Sequence, residues 1–129
     1  MLVLFIEDDA MNRRVVRDML AVVGAEMDEA VDAEAGLRKI QDLRYDIILM
    51  DLRMPGMDGL AAIRALRARS DEKAKLPVIV VTADTALDLR EDCLAQGADE
   101  VLLKPVAMTA LFAAIGRLVA RDDADELMI

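Results

Sequence analysis

The sequence predicts an α/β domain: a doubly wound, five-stranded parallel sheet flanked by five helices. Three observations predict it. Short apolar runs alternate five times with stretches of helical periodicity, which is the pattern of βα units. The runs are near-continuously apolar, as strands covered on both faces must be. No internal repeat, low-complexity segment or linker interrupts the series, so the alternation belongs to one right-handed, compact unit. The expected division is a domain over residues 1–121 and an acidic tail over 122–129.

The elements follow in order. Leu2-Val3-Leu4-Phe5-Ile6 is the first strand and ends in Glu7-Asp8-Asp9. A helix follows with Met11, Val15, Met19 and Val22 inward, joined by Leu20 and Val23, and Gly24 closes it. Asp9 suits its N-cap. Glu26 to Val31 is a weaker second strand. Asp32 caps a helix whose apolar positions are Ala35, Leu37, Ile40 and Leu43. Ile47-Ile48-Leu49-Met50 is a buried strand that ends at Asp51. Pro55-Gly56 and Asp58-Gly59 punctuate the loop beyond it. Asp58 caps a helix with Leu60, Ile63 and Leu66 inward and Arg64, Arg67 and Arg69 outward. After a charged loop, Pro77 introduces the strand Val78-Ile79-Val80-Val81, ending in Thr82. A shorter helix covers Leu87 to Ala95 and stops at Gly97, with Cys93 read as core. Glu100 to Leu103 is the fifth strand and ends in Lys104-Pro105. Thr109 to Ala120 is the last amphipathic helix, with Leu111, Phe112, Ile115, Leu118 and Val119 on its apolar side, and a fraying tail follows it.

Composition removes several function classes. Of the 129 residues, 56% are hydrophobic but only 2% aromatic, so the core is aliphatic. The net charge of −9 repels a phosphate backbone and argues against nucleic-acid binding by this domain. No apolar run approaches the roughly 18 residues that span a bilayer, and no basic region precedes a cleavable apolar segment, so a cytoplasmic protein is expected. With no histidine and one cysteine, internal disulfides are excluded, and zinc sites and Ser-His or Cys-His catalysis nearly so.

Four polar residues end or follow four strands: Asp8, Asp51, Thr82 and Lys104. Ligands of open parallel sheets bind outside the carboxyl ends of the strands, so neighbouring strands would bring the four into one crevice. Glu7, Asp8 and Asp51 would repel one another unless a cation lay between them. All-oxygen ligands with room for water suit Mg²⁺. A divalent ion, an ammonium and a hydroxyl are the parts that hold a phosphoryl group and spread its charge. Asp51 can then be the nucleophile, giving an aspartyl phosphate. Read alone, it could equally start a turn or cap a helix.

Four segments together resemble the receiver domain of two-component response regulators, the CheY-like superfamily: Phe5-Ile6-Glu7-Asp8-Asp9, Ile48 to Gly59, Val80-Val81-Thr82-Ala83 and Leu103-Lys104-Pro105. The resemblance spans about residues 1 to 120 and rests on the order and spacing of the set. It implies a flavodoxin-like sheet of strand order 2-1-3-4-5. It implies Asp51 as phosphoacceptor, with Mg²⁺ bound by Asp8, Asp51 and the backbone carbonyl of Arg53, and by Glu7 through water. Thr82 and Lys104 would bind the phosphoryl group, and Lys104-Pro105 would be cis. A histidine kinase or histidine phosphotransfer protein would be the donor, and a surface around the fourth helix, fifth strand and fifth helix would respond. Arg53 and Asp84 would flank the entrance, either as an ion pair that slows attack by water or as two solvated side chains. Arg13, Arg14 and Arg17 read either as a solvated face or as a donor-docking surface. The position of a common switch aromatic is Val101, which cannot move a ring between surface and pocket.

The chain then reads as a single-domain regulator or as a receiver from a larger protein. The rival is a Mg²⁺-dependent phosphatase with an Asp nucleophile. Those enzymes place the nucleophile after the first strand with a second Asp two residues on, whereas Asp8 is followed by Asp9-Ala10. A flavodoxin-like nucleotide binder would need a Gly- or Ser/Thr-rich loop where Glu7-Asp8-Asp9 stand. An unphosphorylated interaction module would have no use for the intact polar set.

Overall fold

The computed structural model describes residues 1–54, 56–86 and 88–127. Pro55, the Leu87 start of the fourth helix and the apolar end of the tail at Met128 and Ile129 lie outside the described residues.

The elements run β1 (Leu2–Ile6), α1 (Ala10–Val22), β2 (Glu26–Ala30), α2 (Ala33–Asp42), β3 (Ile47–Asp51), α3 (Gly59–Arg67), a 3₁₀ turn (Glu72–Lys75), β4 (Val78–Thr82), α4 (Leu89–Gln96), β5 (Glu100–Leu103) and α5 (Met108–Leu127). The five strands form one sheet in the order β2-β1-β3-β4-β5, with every neighbouring pair parallel. The doubly wound fold, strand order included, is the expected one.

Side chains alternate across a strand, so each strand feeds two cores. Leu4, Ile6, Ile48, Met50, Val78 and Val80 face α2, α3 and α4, where Ile40, Ile63, Leu66 and Cys93 meet them. Val3, Phe5, Ile47, Leu49, Ile79 and Val81 face α1 and α5, where Val16, Leu20, Leu111 and Leu118 meet them. Two-sided burial is why the strands read as unbroken apolar runs. The edge strands are the exceptions: in β2 Met27 and Ala30 are buried while Glu26 is exposed, and in β5 Glu100 to Leu102 are half-buried and Leu103 is exposed.

Helix α1 departs from the expectation. Val16 and Leu20 face the sheet; Met11 is 67% exposed and Val22 69%, and Val15 and Val23 are exposed too. The helix carries apolar residues on opposite sides, and periodicity alone does not choose between them. Tertiary bonds choose. Arg13 and Arg17 share the side of Val16 and Leu20 and reach the backbone: Arg13 Nη1 donates to Glu7 O (2.9 Å) and Arg17 Nη1 to Met27 O (2.9 Å), and both arginines pair with Glu29. Asp9 caps the helix as expected, accepting from Met11 N and Asn12 N.

Three smaller departures concern the other helices. Leu43, expected inward, is exposed at the end of α2. Arg67, expected on the outer face of α3, is half-buried and donates to the carbonyls of Gly97 (2.9 Å), Ala74 (2.7 Å) and Leu76 (2.7 Å) while pairing with Asp99. Helix α5 continues to Leu127 where a fraying tail was expected from residue 121. Nearby, Lys73 Nζ caps the end of α2 by donating to Ile40 O (2.6 Å) and Gln41 O (2.8 Å).

Candidate functional site

Strand register builds the site. β1 and β3 run side by side with Ile6 opposite Met50, so Glu7 and Asp51, the next residues, emerge together at the carboxyl edge. Asp51 stands opposite Val81 on β4, and Thr82 opposite Leu103 on β5, which brings Lys104 to the same edge. The backbone knits this rim, with Lys104 N donating to Thr82 O at 2.8 Å. Beyond Asp51 the chain turns back at once. Gly59 N donates to Leu52 O, and a Cβ on Gly59 would lie 2.7 Å from Asp51 O and 2.9 Å from Leu52 Cα. Only a glycine lets the start of α3 sit this close beneath the end of β3.

The predicted residues converge. Carboxylate oxygens of Glu7, Asp8 and Asp51 lie within 4.8 Å of one another. Glu7 and Thr82 are buried, Asp51 nearly so, and Asp8 is exposed. Lys104 Nζ reaches between them, 2.8 Å from Glu7 Oε1 and 3.4 Å from Asp51 Oδ2. Thr82 Oγ1 accepts from Asp84 N at 3.1 Å. Arg53 N lies 3.3 Å from Asp51 Oδ1. The Arg53 and Asp84 side chains are paired at the surface, Nη2 2.6 Å from Oδ2, with the Arg53 side chain largely in solvent. The cis bond at Lys104-Pro105 is present.

Electrostatics mark the cluster as under-neutralised. Burial, and then the neighbouring Asp51 carboxylate, push the Glu7 carboxyl up to about 7, against the opposing bonds from Lys104 and Asn12. Burial works against the Lys104 ammonium, but Glu7 and Asp51 outweigh it and hold its pKa above the usual value. The Asp84 carboxylate is held below its usual range by Ala86 N and then by Arg53.

A cation fits this donor set. Three carboxylates supply hard oxygen ligands, and Glu7 Oε2 is buried with no hydrogen-bond partner. An orphaned carboxylate oxygen costs free energy unless a cation or its water shell meets it. Exposed Asp8 leaves the mouth open to water, as Mg²⁺ requires.

The profile of the response regulator receiver domain matches residues 3–116. The chain belongs to the response regulator receiver domain family. Among curated relatives, it is 35% identical over 124 residues to the response regulator MprA of Mycobacterium sp. (strain KMS), matching 96% of this chain and 53% of that protein. It is 34% identical over 107 residues to the sensor protein GacS of Pseudomonas syringae pv. syringae, matching 81% of this chain and 12% of that protein. The chain thus spans about half or less of these relatives. Among solved structures, the receiver domain of the sensor histidine kinase PA1611 of Pseudomonas aeruginosa PAO1 superposes with a TM-score of 0.83 at 33% identity, covering 92% of this chain and 97% of that one. That neighbour carries a magnesium ion coordinated in its active-site cleft. This receiver is thus a two-component signalling domain, and the phosphatase rival gains no support. Asp9, the residue nearest to that rival's second Asp, caps α1 instead.

Among the described residues no helix is long and apolar enough to cross a membrane. Of Arg13, Arg14 and Arg17, read as a solvated face or a docking surface, Arg13 is half-buried against Glu7 and Glu29, while Arg14 and Arg17 are exposed, Arg17 with bonds to Met27 O and Glu29. Sequence reasoning missed Asn12, whose Nδ2 donates to Glu7 Oε1 at 2.6 Å. The available signal was local: a weak helix former in the first turn, one turn above an acidic mouth. Val101 is half-buried against the core under α4.

Proposed function

We propose that Asp51 is the phosphoacceptor of this receiver and that a histidine kinase or histidine phosphotransfer protein is its donor. The observation that carries this reading is the meeting of Glu7, Asp8, Asp51 and Lys104 at one strand edge. An Asp51 carboxylate oxygen attacks phosphorus, a new O–P bond forms, the P–N bond to the donor imidazole breaks, and its electron pair stays on the ring nitrogen. Asp8, Asp51 and the Arg53 carbonyl would hold Mg²⁺, with Glu7 bound through water. When bound, the ion neutralises charge on the transferring oxygens. Thr82 would turn its hydroxyl to one phosphoryl oxygen, and Lys104 would move from Glu7 to another.

Two further parts belong to the same reading. The Arg53–Asp84 pair would screen the entrance and slow hydrolysis. The responding surface would be α4, β5 and α5, where Glu100 of β5 is gripped by Arg90 of α4 at 3.5 Å and by Arg117 of α5 at 2.8 Å. With Val101 in place of a ring, a shift of α4 that parts Arg90 from Glu100 would be the signal.

The test is a small-molecule phosphodonor with Mg²⁺, read by intact mass. The wild type gains one phosphoryl group and Asp51→Asn gains none. A phosphoryl adduct retained in Asp51→Asn would refute the assignment.

A further inference from the structure

Glu7 sits at the centre of the site's charge balance, and its two oxygens have different surroundings. Oε1 accepts from two donors, Asn12 Nδ2 at 2.6 Å and Lys104 Nζ at 2.8 Å. Oε2 has none. The side chain is wholly buried, so no bulk water replaces a lost donor. The donors also differ in permanence. Lys104 hangs between Glu7 and Asp51 and, on the reading given above, leaves Glu7 for the phosphoryl group. Asn12 stands in the first turn of α1, a helix whose start is capped by Asp9 and tied by Arg13 to the Glu7 carbonyl itself. Its amide is neutral and donates to the Glu7 carboxylate.

We infer that Asn12 is a positioning residue for the metal site: it pins Glu7 Oε1 so that Oε2 stays turned toward the cation's water shell when Lys104 departs. The inference rests on the phosphoacceptor reading of the site. Partners that orient a metal's ligands typically contribute about 10–100-fold to affinity, and an amide holding a water-linked carboxylate belongs at the lower end of that range.

The experiment measures Mg²⁺ binding by calorimetry on the unphosphorylated full chain, thermal unfolding without metal, and the rate of phosphorylation by acetyl phosphate against Mg²⁺ concentration. Asn12→Ala removes the donor at a helical position where alanine is well tolerated. Asn12→Gln keeps an amide, and Asp8→Asn removes a ligand. Expected for Asn12→Ala are a Mg²⁺ Kd raised by about tenfold, a modestly lowered melting temperature from the donor lost to a buried carboxylate, and a phosphorylation rate that recovers at high Mg²⁺. Asn12→Gln should restore most of the affinity. A Kd for Asn12→Ala within about twofold of wild type, beside lost binding in Asp8→Asn, would overturn the role of Asn12 alone. So would an affinity loss that Asn12→Gln leaves in place while restoring the melting temperature. Wild-type binding in Asp8→Asn would overturn the metal site, and the role of Asn12 with it.

Discussion

The same substitution at two glycines should have opposite signs. At Gly59 an added Cβ meets Asp51 O at 2.7 Å and Leu52 Cα at 2.9 Å. Both are backbone atoms at the end of β3, so neither can rotate away. The overlap must be relieved by moving α3 or the end of β3. Overpacking of this kind costs about 1–3 kcal/mol. Alanine's better helix propensity returns at most about 1 kcal/mol. Gly59→Ala should therefore destabilise by about 1–2 kcal/mol, which for a chain of this size lowers the melting temperature by roughly 3–7 °C. At Gly116, exposed within α5, an added Cβ meets nothing within 4 Å. Gly116→Ala should stabilise by up to about 1 kcal/mol. Urea unfolding of both variants beside wild type measures the pair. Because Gly59 lies under Asp51, its variant should also be phosphorylated more slowly by a small donor, and the Gly116 variant should not. If Gly59→Ala matches or exceeds wild-type stability, the close packing of α3 on the end of β3 is wrong.

Two other outcomes follow from charge placement. The Arg53 side chain is 79% exposed, so its pair with Asp84 is weak. Arg53→Ala and Asp84→Ala should each speed loss of the phosphoryl group by no more than about fivefold, and unchanged lifetimes would dispose of the screen. Tyr45 donates its hydroxyl to Asp28, which Lys39 also holds. Burial works against the Asp28 carboxylate, but these bonds win and hold its pKa below the usual value. A depressed acid stabilises the fold above its ordinary pKa, and that contribution fades as pH falls through the folded value. Tyr45→Phe should cost about 1–2 kcal/mol at pH 7 by urea unfolding, and the gap should narrow below about pH 4. A gap that stays constant with pH would show that Asp28 is not the partner that matters.

What was legible in the sequence follows from which forces are local. Strands buried on both faces must be apolar throughout, so β1, β3 and β4 announced themselves. A carboxylate, hydroxyl or lysine where such a run ends has no packing role, so Asp8, Asp51, Thr82 and Lys104 stood out before their distances were known. The face of α1 was not legible, because Met11 and Val15 oppose Val16 and Leu20 and the choice is made by arginines reaching β1 and β2. Arg67 misled for a related reason. Charge suggests solvent, yet its guanidinium ends on three backbone carbonyls. Asn12 left only a faint signal, a weak helix former near the acidic mouth, because a single amide does not say which carboxylate it will meet.

The amino-terminal pole of the sheet is fastened by Arg67 and Lys73, each bridging segments distant in sequence. The opposite pole carries the clustered carboxylates of Glu7, Asp8 and Asp51, with Thr82 and Lys104, the side chains proposed to change partners. Rigidity and excitability are therefore assigned to opposite poles. If Asp51 takes a phosphoryl group, as proposed, the disturbance would meet a clamped lower end and would spread along the rim toward β4, β5 and their helices. Loosening either clamp would leave the chemistry intact while blurring its direction.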